Sequence, residues 1–516
     1  MVGNLTFKIK LFLTVVMLAL VSCKKDPKPA VDKEPIVSPT TGTRTQFTLD
    51  SIFLYAKDIY LWNDALPSYD AFSPRKFDAS NSSENTKLES ELYAITQIPV
   101  NLETGKPYEF YNLGYPKYSY IEEGDNFPGT QSSVDLEGNG DDFGIGYGVA
   151  GSNDIRIRYV NPGSPAGEKD IKRGYKILKV NGSSVGGNAS AVDAGLSGQT
   201  LSLTLQRPDN SQFTVTLSSR NYIANPILKN GVFNFDGLNK KAGHLVLARF
   251  SNLDNAKAAL DTAFKNFAQE SVTDLIIDLR YNGGGFVETA EHLCNLIAPS
   301  SLNNKVMYIE HYNDKMRNGK ATMLRHQVLF GSDGKPQNLD NGKTATYYNI
   351  DYTEAGNTYK FKKAGTLETV KNIYFIVSGN TASASELVIN NLKPYFNVIL
   401  IGKKTYGKPV GFFPVKIDKY DLYIPNFSSR NAQGQGDYYA GIVVNYDASD
   451  DVAHDFDSTD ELALSKAIAL IQGQTVSSAK TTSASASVSS ENKSMKTDGK
   501  DGFKGMIETR YKLSNQ

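Results

Sequence analysis

Residues 373–392 read IYFIVSGNTASASELVINNL, and this stretch decides the fold class. Five apolar residues that begin at Ile373 predict a buried strand, which runs into a turn of small residues. The apolar residues that follow predict a helix from about Ser385, with Glu386 in its first turn, where the helix dipole favours an acidic side chain. A strand, a tight turn and a helix in this order are typical of an α/β sheet, which places functional sites where its strands end.

The same alternation of strands and helices extends over residues 235–470. Apolar, β-rich runs cover Ala242–Phe250, Leu275–Leu279, Asn372–Val377 and Val398–Ile401, and helical patterns cover Leu253–Gln269 and Phe286–Ile297. Strands that are apolar on both faces and separated by helices predict a sheet with helices on both sides. We therefore predict a multidomain α/β (α+β) protein whose core spans residues 235–470.

A serine and a lysine lie at the ends of two of these predicted strands. Ser383 follows Asn372–Val377, and Lys408 lies in the loop after Val398–Ile401. Neighbouring parallel strands would place both residues at one edge of the sheet, where the lysine can reach the serine. In a desolvated pocket a lysine loses its proton more easily than at its usual pKa of about 10.4, and it can then act as a general base. Considered singly, each residue has a more ordinary interpretation that is favoured: Ser383 as a helix cap, and Lys408 as a surface lysine.

Several other chemistries are disfavoured by what the sequence lacks. His-Glu-x-x-His and Gly-x-Ser-x-Gly motifs are absent, and the five histidines show no recognisable metal or triad spacing. Lys+Arg and Asp+Glu are equal at 55 each, whereas a protein that binds nucleic acid through its phosphates should carry a basic excess. Two cysteines exclude a disulfide framework and a zinc ribbon. We predict no metal, no cofactor and no nucleic-acid partner.

The sequence pattern of residues 141–220 predicts a separate β domain, which resembles a PDZ domain. The resemblance lies in three segments: the glycine-rich loop Phe143–Gly148, the turn Gly163–Ala166 and the strand-turn Gly174–Gly182. It implies that the backbone N–H groups of Gly144, Ile145 and Gly146 bind the terminal carboxylate of a peptide. The alternative is a β domain that only spaces its neighbours.

Three motifs in the core resemble the C-terminal processing (tail-specific) serine peptidase family. They are Asp-Leu-Arg-Tyr-Asn-Gly-Gly-Gly at 278–285, Thr-Ala-Ser-Ala-Ser-Glu at 381–386 and Tyr-Gly-Lys at 406–408. The resemblance implies that Ser383 is the nucleophile and Lys408 the general base, and that the backbone N–H groups of Gly284 and Ala384 form the oxyanion hole. It also implies a serine-type endopeptidase whose PDZ domain captures the C-terminal tails of its polypeptide substrates.

One position departs from the family pattern. The family often has a glutamine four residues after the lysine, and Phe412 occupies that position here. The Ser/Lys pair is still present, so hydrolysis through a dyad remains the principal hypothesis. The alternative is a catalytically degenerate member of the same fold that binds peptides or another ligand.

The N-terminus predicts export. Lys8 and Lys10 precede an apolar run that is too short to span a bilayer, which is typical of a signal peptide over residues 1–22. The run ends in Leu-Val-Ser-Cys, which resembles a bacterial lipobox with lipidation at Cys23; the alternative is an ordinary signal peptide with an incidental cysteine. We therefore expect a lipid anchor in the cell envelope, at the periplasmic face or outer membrane of a Gram-negative bacterium.

The remaining segments complete the predicted organisation. Prolines, charges and Ser/Thr residues predict a lipidated, flexible tether over residues 23–43. A helical period of apolar residues from Ile52 to Trp62 predicts a small helical domain over residues 44–125. A Ser/Ala/Thr/Lys-rich composition predicts that residues 473–516 form a largely disordered tail.

Overall fold

The computed structural model describes residues 39–111, 114–123, 134–331, 334–479 and 505–514. The predicted signal peptide, Cys23 and most of the tether lie outside these ranges. Residues Gly42–Gln516 form one compact unit, and only residues 39–41 of the smaller unit Met1–Thr41 are described. Within the described ranges no helix is long and apolar enough to cross a membrane.

The chain from residue 42 to residue 223 forms a helical part and then a β part. The helical part contains α1 (Arg44–Ile59), α2 (Tyr69–Phe72), α3 (Glu84–Thr96), β1 (Val100–Asn101), β2 (Lys106–Pro107) and β3 (Tyr120–Glu123). The β part contains β4 (Asn139–Gly140), β5 (Ile145–Gly151), β6 (Asp154–Val160), β7 (Lys176–Val180), β8 (Ser183–Ser184), α4 (Ala189–Leu196), β9 (Thr200–Gln206), β10 (Gln212–Ser218) and β11 (Tyr222–Ile223).

The rest of the chain alternates strands and helices. Its first half contains β12 (Ile227–Phe235), β13 (Lys240–Leu247), α5 (Leu253–Gln269), β14 (Asp274–Asp278), β15 (Gly284–Phe286), α6 (Val287–Ile297), β16 (Val306–Tyr312) and α7 (Asp314–Arg317). Its second half contains β17 (Thr358–Lys360), β18 (Asn372–Val377), α8 (Ala384–Leu392), β19 (Asn397–Gly402), β20 (Val410–Gly411), β21 (Val415–Ile417), β22 (Tyr420–Tyr423), β23 (Phe427–Asn431), β24 (Tyr446–Asp447), α9 (Leu462–Ile471) and β25 (Gly505–Ile507).

A six-stranded sheet with the order β12-β13-β14-β18-β19-β24 forms the centre of the core. β12 is antiparallel to β13, and the other pairs are parallel. Alternate residues of β14 face opposite sides: Leu275 and Ile277 pack with α5, α6 and α8, whereas Ile276 packs with α9. The prediction of an α/β sheet covered on both sides is therefore confirmed.

The β part has its own apolar core. Strands in the order β10-β9-β7-β6-β5 surround buried residues that include Phe143, Ile157 and Leu203. β5, which begins at Ile145, is the last strand of this order. Its identity as a PDZ domain with bounds 141–220 stays a prediction.

The N-terminal helices pack directly onto the core. Residues of α1 and α3, among them Phe53 and Leu92, belong to the same buried apolar cluster as residues of β13 and β14. β3 also extends the sheet formed by β21 and β22. Helix α1 ends at Ile59, so Trp62 lies beyond it and stacks on Tyr108 with ring centroids 4.3 Å apart. The bounds 44–125 of a separate helical domain stay a prediction.

The prediction of a largely disordered tail over residues 473–516 does not hold for residues 505–514. Gly505–Ile507 form β25, which pairs in parallel with β15. Met506 and Ile507 are buried, because their apolar side chains enter the core beside that strand. A run of three residues is too short for a periodic pattern, and its partner strand lies more than 200 positions earlier in the chain.

Candidate active site

The turn between β18 and α8 holds Ser383 in a strained conformation. Ser383 has φ +58° and ψ −112°, which a residue with a side chain rarely adopts. Hydrogen bonds fix the turn on both sides of it: before it, Thr381 Oγ1 donates to Leu279 O at 2.8 Å, and after it, Ser385 Oγ donates to Asn282 O at 3.0 Å. Ser383 is the N-cap residue of α8, and its side chain faces the N3 backbone in a capping-box arrangement with Glu386. Its Oγ is buried and makes no hydrogen bond of standard geometry among the described residues.

Lys408 lies in the loop between β19 and β20 and is buried as well. Its Nζ is 4.3 Å from the centroid of the Phe412 ring and 5.8 Å from that of Tyr118. Burial lowers the pKa of Lys408 to about 7, because desolvation disfavours the ammonium form more than the carboxylates of Glu109 and Glu386 favour it. Near neutral pH, this amine therefore exists in both protonation states.

Glu386 joins the serine turn to the lysine loop. Its Oε2 accepts the backbone N–H of Ser383 at 2.9 Å and that of Lys408 at 2.8 Å. Its Oε1 accepts the N–H of Gly407 at 2.8 Å and the hydroxyl of Thr405. Burial raises the pKa of Glu386, and these four hydrogen bonds oppose the rise. The structure thus brings Ser383 and Lys408, twenty-five positions apart in sequence, to one carboxylate oxygen.

The two predicted oxyanion donors differ in their surroundings. Ala384 is the first residue of α8, a position whose N–H has no carbonyl partner within the helix. The N–H of Gly284 instead donates to Asn282 Oδ1 at 2.9 Å. Gly284 has φ +111°, and a Cβ there would lie 3.0 Å from Ser383 Cβ, so only glycine allows the backbone this close to the nucleophile.

The predicted carboxylate-binding loop also has an internal partner. The Gly144 N–H donates to Asp142 Oδ1 at 2.8 Å. Ile145 and Gly146 pair with β6, and all three loop residues are buried. A carboxylate of the chain itself thus lies against the first of the three predicted donors.

The N-terminal part supplies contacts to the lysine loop that were not predicted. Tyr118 places its ring near the Lys408 ammonium, and its hydroxyl donates to Gly407 O at 2.6 Å. Lys117 Nζ donates to the same carbonyl at 3.1 Å. No local motif marks Tyr118 or Lys117. Glu386 and Asn282, by contrast, stand inside the quoted motifs, although their hydrogen bonds were not predicted.

The described parts of the chain contain no group of three or more His, Cys, Asp or Glu side chains arranged to hold a metal ion.

Comparison with known proteins identifies similarities over the core. Residues 241–423 match the family model described as "Peptidase family S41". The chain is 22% identical over 306 residues to the chloroplastic C-terminal processing peptidase of Tetradesmus obliquus, covering 57% of this chain. It is 26% identical over 341 residues to the carboxy-terminal processing protease CtpA of Bacillus subtilis, covering 64% of this chain. The chain spans 54% and 60% of the length of these two relatives.

The fold has a counterpart among solved structures. A crystal structure from Bacteroides fragilis, classed with the S41 proteases, superimposes with a TM-score of 0.55 and 22% sequence identity. The match covers 86% of this chain and 100% of the other. At this identity, the likeness concerns the fold alone.

Proposed function

We propose, on the premise that residues 241–423 are a peptidase family S41 domain, that this chain is a serine endopeptidase with Ser383 as nucleophile and Lys408 as general base. The observation that carries the proposal is the shared hydrogen-bond acceptor, Glu386 Oε2, which holds the backbones of both residues. A buried lysine with a pKa of about 7 supplies the neutral amine that this chemistry needs.

The reaction follows from the protonation states. The neutral Lys408 amine takes the proton of Ser383 Oγ as the oxygen attacks the scissile carbonyl carbon, whose oxygen becomes an oxyanion. The N–H of Ala384 is the donor available to that oxyanion. The Lys408 ammonium then protonates the leaving amine, and an acyl-enzyme forms on Ser383. Water, deprotonated by the same lysine, hydrolyses the ester and releases the acid.

Phe412 supports the general base by excluding water. Its ring lies against the Lys408 ammonium, where a glutamine amide would offer a hydrogen bond to the charged form. The ring attracts the cation only weakly compared with the hydration that burial removes. A phenylalanine at this position is therefore compatible with a lysine that works near neutral pH.

The decisive experiment compares Ser383→Ala and Lys408→Ala with the unaltered chain on a denatured protein substrate. Each variant should lose about 10⁴-fold in kcat, because the two residues act as one unit. Ser465→Ala and Lys466→Ala are matched controls on α9, which packs on the opposite face of the central sheet, and they should leave kcat unchanged. Undiminished turnover by Ser383→Ala would exclude this nucleophile.

A second candidate function is peptide binding without cleavage. It is favoured by the engagement of the Gly284 N–H with Asn282, which leaves one of the two predicted oxyanion donors occupied. In that case the purified chain binds peptides, and no cleavage that depends on Ser383 is detected between pH 6 and pH 9.

We further propose that residues 141–220 capture the C-terminal tails of substrates. β5 is the last strand of its sheet and is the edge to which an extended peptide could be added. The test is fluorescence anisotropy with two forms of one labelled peptide, with a free and an amidated C-terminus. Equal and unsaturable signals for both forms would refute tail capture.

For the N-terminus we propose lipidation at Cys23 in the cell envelope, supported by the sequence Leu-Val-Ser-Cys at 20–23. The experiment is expression in a Gram-negative host followed by membrane fractionation. Cys23→Ser should move the protein from the membrane to the soluble fraction, and an unchanged membrane fraction would contradict the proposal.

A further inference from the structure

Strand β25 lies inside the candidate active site. It pairs with β15 in parallel, with Gly505 opposite Gly284. On the other side, the N–H of Phe412 donates to Met506 O at 3.4 Å. β25 therefore separates the strand that carries Gly284 from the residue whose ring covers Lys408.

The backbone of β25 approaches the nucleophile closely. A Cβ built on Gly284 would overlap the carbonyl oxygen of Gly505 and would lie 3.0 Å from Ser383 Cβ. The Gly505 carbonyl and the Ser383 side chain thus face the same side of Gly284. Ser383 and Lys408 are only 0% and 1% exposed. With β25 in place, both side chains are therefore closed to solvent.

The side chains of β25 fill apolar positions beside the site. Met506 is fully buried and belongs to the large apolar cluster of the core. Ile507 is 4% exposed and packs in a smaller cluster with Phe286, Phe412 and Tyr423. Two successive apolar side chains therefore contribute to holding the strand.

Charged and backbone contacts hold the residues that follow. The Arg510 side chain makes two hydrogen bonds with the carboxylate of Glu291 on α6, at 2.8 and 2.9 Å, and two with that of Glu508, at 2.8 and 3.1 Å. Further along, the N–H of Asp351 donates to Lys512 O at 2.8 Å. These contacts lie outside the Ser383 turn, so they anchor the segment without taking part in the chemistry.

We propose that residues 505–510 occupy the polypeptide-binding groove of the active site as an internal ligand. This inference rests on the proposed function. The groove lies between β15 and Phe412, and it takes an extended segment parallel to β15. The occupant shows which segments fit: a small residue at the position of Gly505, followed by two apolar residues. This internal segment thus competes with substrate for the site.

An internal competitor has a distinct kinetic signature. Because the tail is tethered, it is present at a constant effective concentration, and substrate must displace it. Weakening the tail lowers the apparent KM and leaves kcat unchanged, since a saturating substrate displaces the tail in every variant. A strand that only supports the site would instead lower kcat when it is weakened.

The first experiment uses the full chain and steady-state cleavage of an unfolded protein. Arg510→Gln should lower KM about fivefold at constant kcat, and Ile507→Ser should lower it further. Arg44→Gln is the matched control, because Arg44 also makes two hydrogen bonds with a carboxylate, that of Asp418, outside residues 505–514, and it should change neither constant. Thermal unfolding confirms that each variant is folded. A folded Arg510→Gln protein with unchanged KM, or with reduced kcat, would overturn the proposal.

The second experiment does not depend on cleavage. A labelled synthetic peptide with the sequence of residues 505–514, GMIETRYKLS, is titrated into the full-length double variant Ser383→Ala/Arg510→Gln, and its anisotropy is measured. It should bind at least fivefold more tightly than to Ser383→Ala alone, whereas a peptide with aspartate in place of Met506 and Ile507 should not bind. Equal affinity for both proteins would refute tail occupancy. Peptide binding without any proteolysis would instead refute the proposed enzyme and retain the groove.

Discussion

Two glycine loops of this chain are built alike, but they differ in charge. In each, a glycine with positive φ donates its N–H to the side chain two residues earlier: Gly144 to Asp142 Oδ1, and Gly284 to Asn282 Oδ1. Asp142 presents a carboxylate, whereas Asn282 presents a neutral amide oxygen. A negative group that approaches Gly144 meets like charge, and one that approaches Gly284 does not.

The difference separates the two predicted anion sites. An oxyanion can develop beside Gly284, because the oxygen already there is uncharged and weakly basic. A terminal carboxylate at Gly144 has to displace Asp142, whose Oδ1 also accepts the hydroxyl of Tyr222 at 2.7 Å. Of the two, the Gly284 loop is therefore better suited to the negative charge that the proposed reaction develops, and the Gly144 loop is poorly suited to binding a carboxylate strongly.

Placing a negative charge in the Gly284 loop should have the largest effect on kcat. Asn282→Asp puts a carboxylate beside the position where the oxyanion develops. The variant also loses the hydrogen bond from Asn282 Nδ2 to Leu247 O. We expect kcat on an unfolded protein to fall about 10³-fold, comparable to the loss of an oxyanion donor. Circular dichroism and thermal melting check the fold of the variant. A folded Asn282→Asp enzyme with normal kcat would show that this loop plays no part in stabilising charge.

The second largest effect should be a difference in pH dependence between cleavage at the candidate active site and peptide binding at the Gly144 loop. Lys408 must be neutral to accept the proton of Ser383, and its pKa is about 7. The value of kcat/KM should therefore rise about tenfold per pH unit below pH 7 and level off above it. The affinity of the Ser383→Ala variant for a labelled peptide with a free C-terminus, measured by fluorescence anisotropy, should change little over the same pH range. A rate that falls between pH 6 and pH 8 would contradict the lysine as general base.

Asp142→Asn should have a moderate effect, and it should strengthen peptide binding rather than weaken it. Removing the carboxylate makes the Gly144 loop resemble the Gly284 loop. We expect peptides with a free C-terminus to bind about fivefold more tightly, whereas the amidated peptide should be unaffected. Unchanged kcat at saturating substrate serves as the internal control. Equal gains for both peptides would assign the effect to something other than charge.

Phe412→Gln should produce the smallest effect. The amide accepts a hydrogen bond from the Lys408 ammonium and raises its pKa, so the midpoint of the rate profile should move upward by less than one pH unit. At pH 7 this corresponds to a loss of a few-fold in kcat/KM, and the plateau at high pH should be unchanged. Leu136→Ala removes a neighbour of Phe412 in the same apolar cluster, and a matching shift there would assign the effect to packing.

The sequence predicts best what is local. Helix α5 was predicted with the bounds that it has. Ser383 and Lys408 were selected as candidates because each stands in a short motif after an apolar strand. The position of Tyr118 near Lys408 was missed, since contacts between distant segments leave no periodic pattern. The engagement of Gly144 and Gly284 was missed for another reason: an aspartate or asparagine two residues before a glycine is common in turns and does not by itself mark an occupied site.

The hydrogen bonds from Lys117 and Tyr118 to the Gly407 carbonyl make the lysine loop depend on a part of the chain outside residues 241–423. A fragment cut to residues 241–423 would lose the Tyr118 ring and the Lys117 ammonium group, which lie on the N-terminal side of the lysine loop. Water would then hydrate Lys408, whose pKa would return toward about 10.4, and the amine would stay charged at neutral pH. Residues 241–423 carry the motifs, but on their own they would lack the surroundings that keep Lys408 neutral.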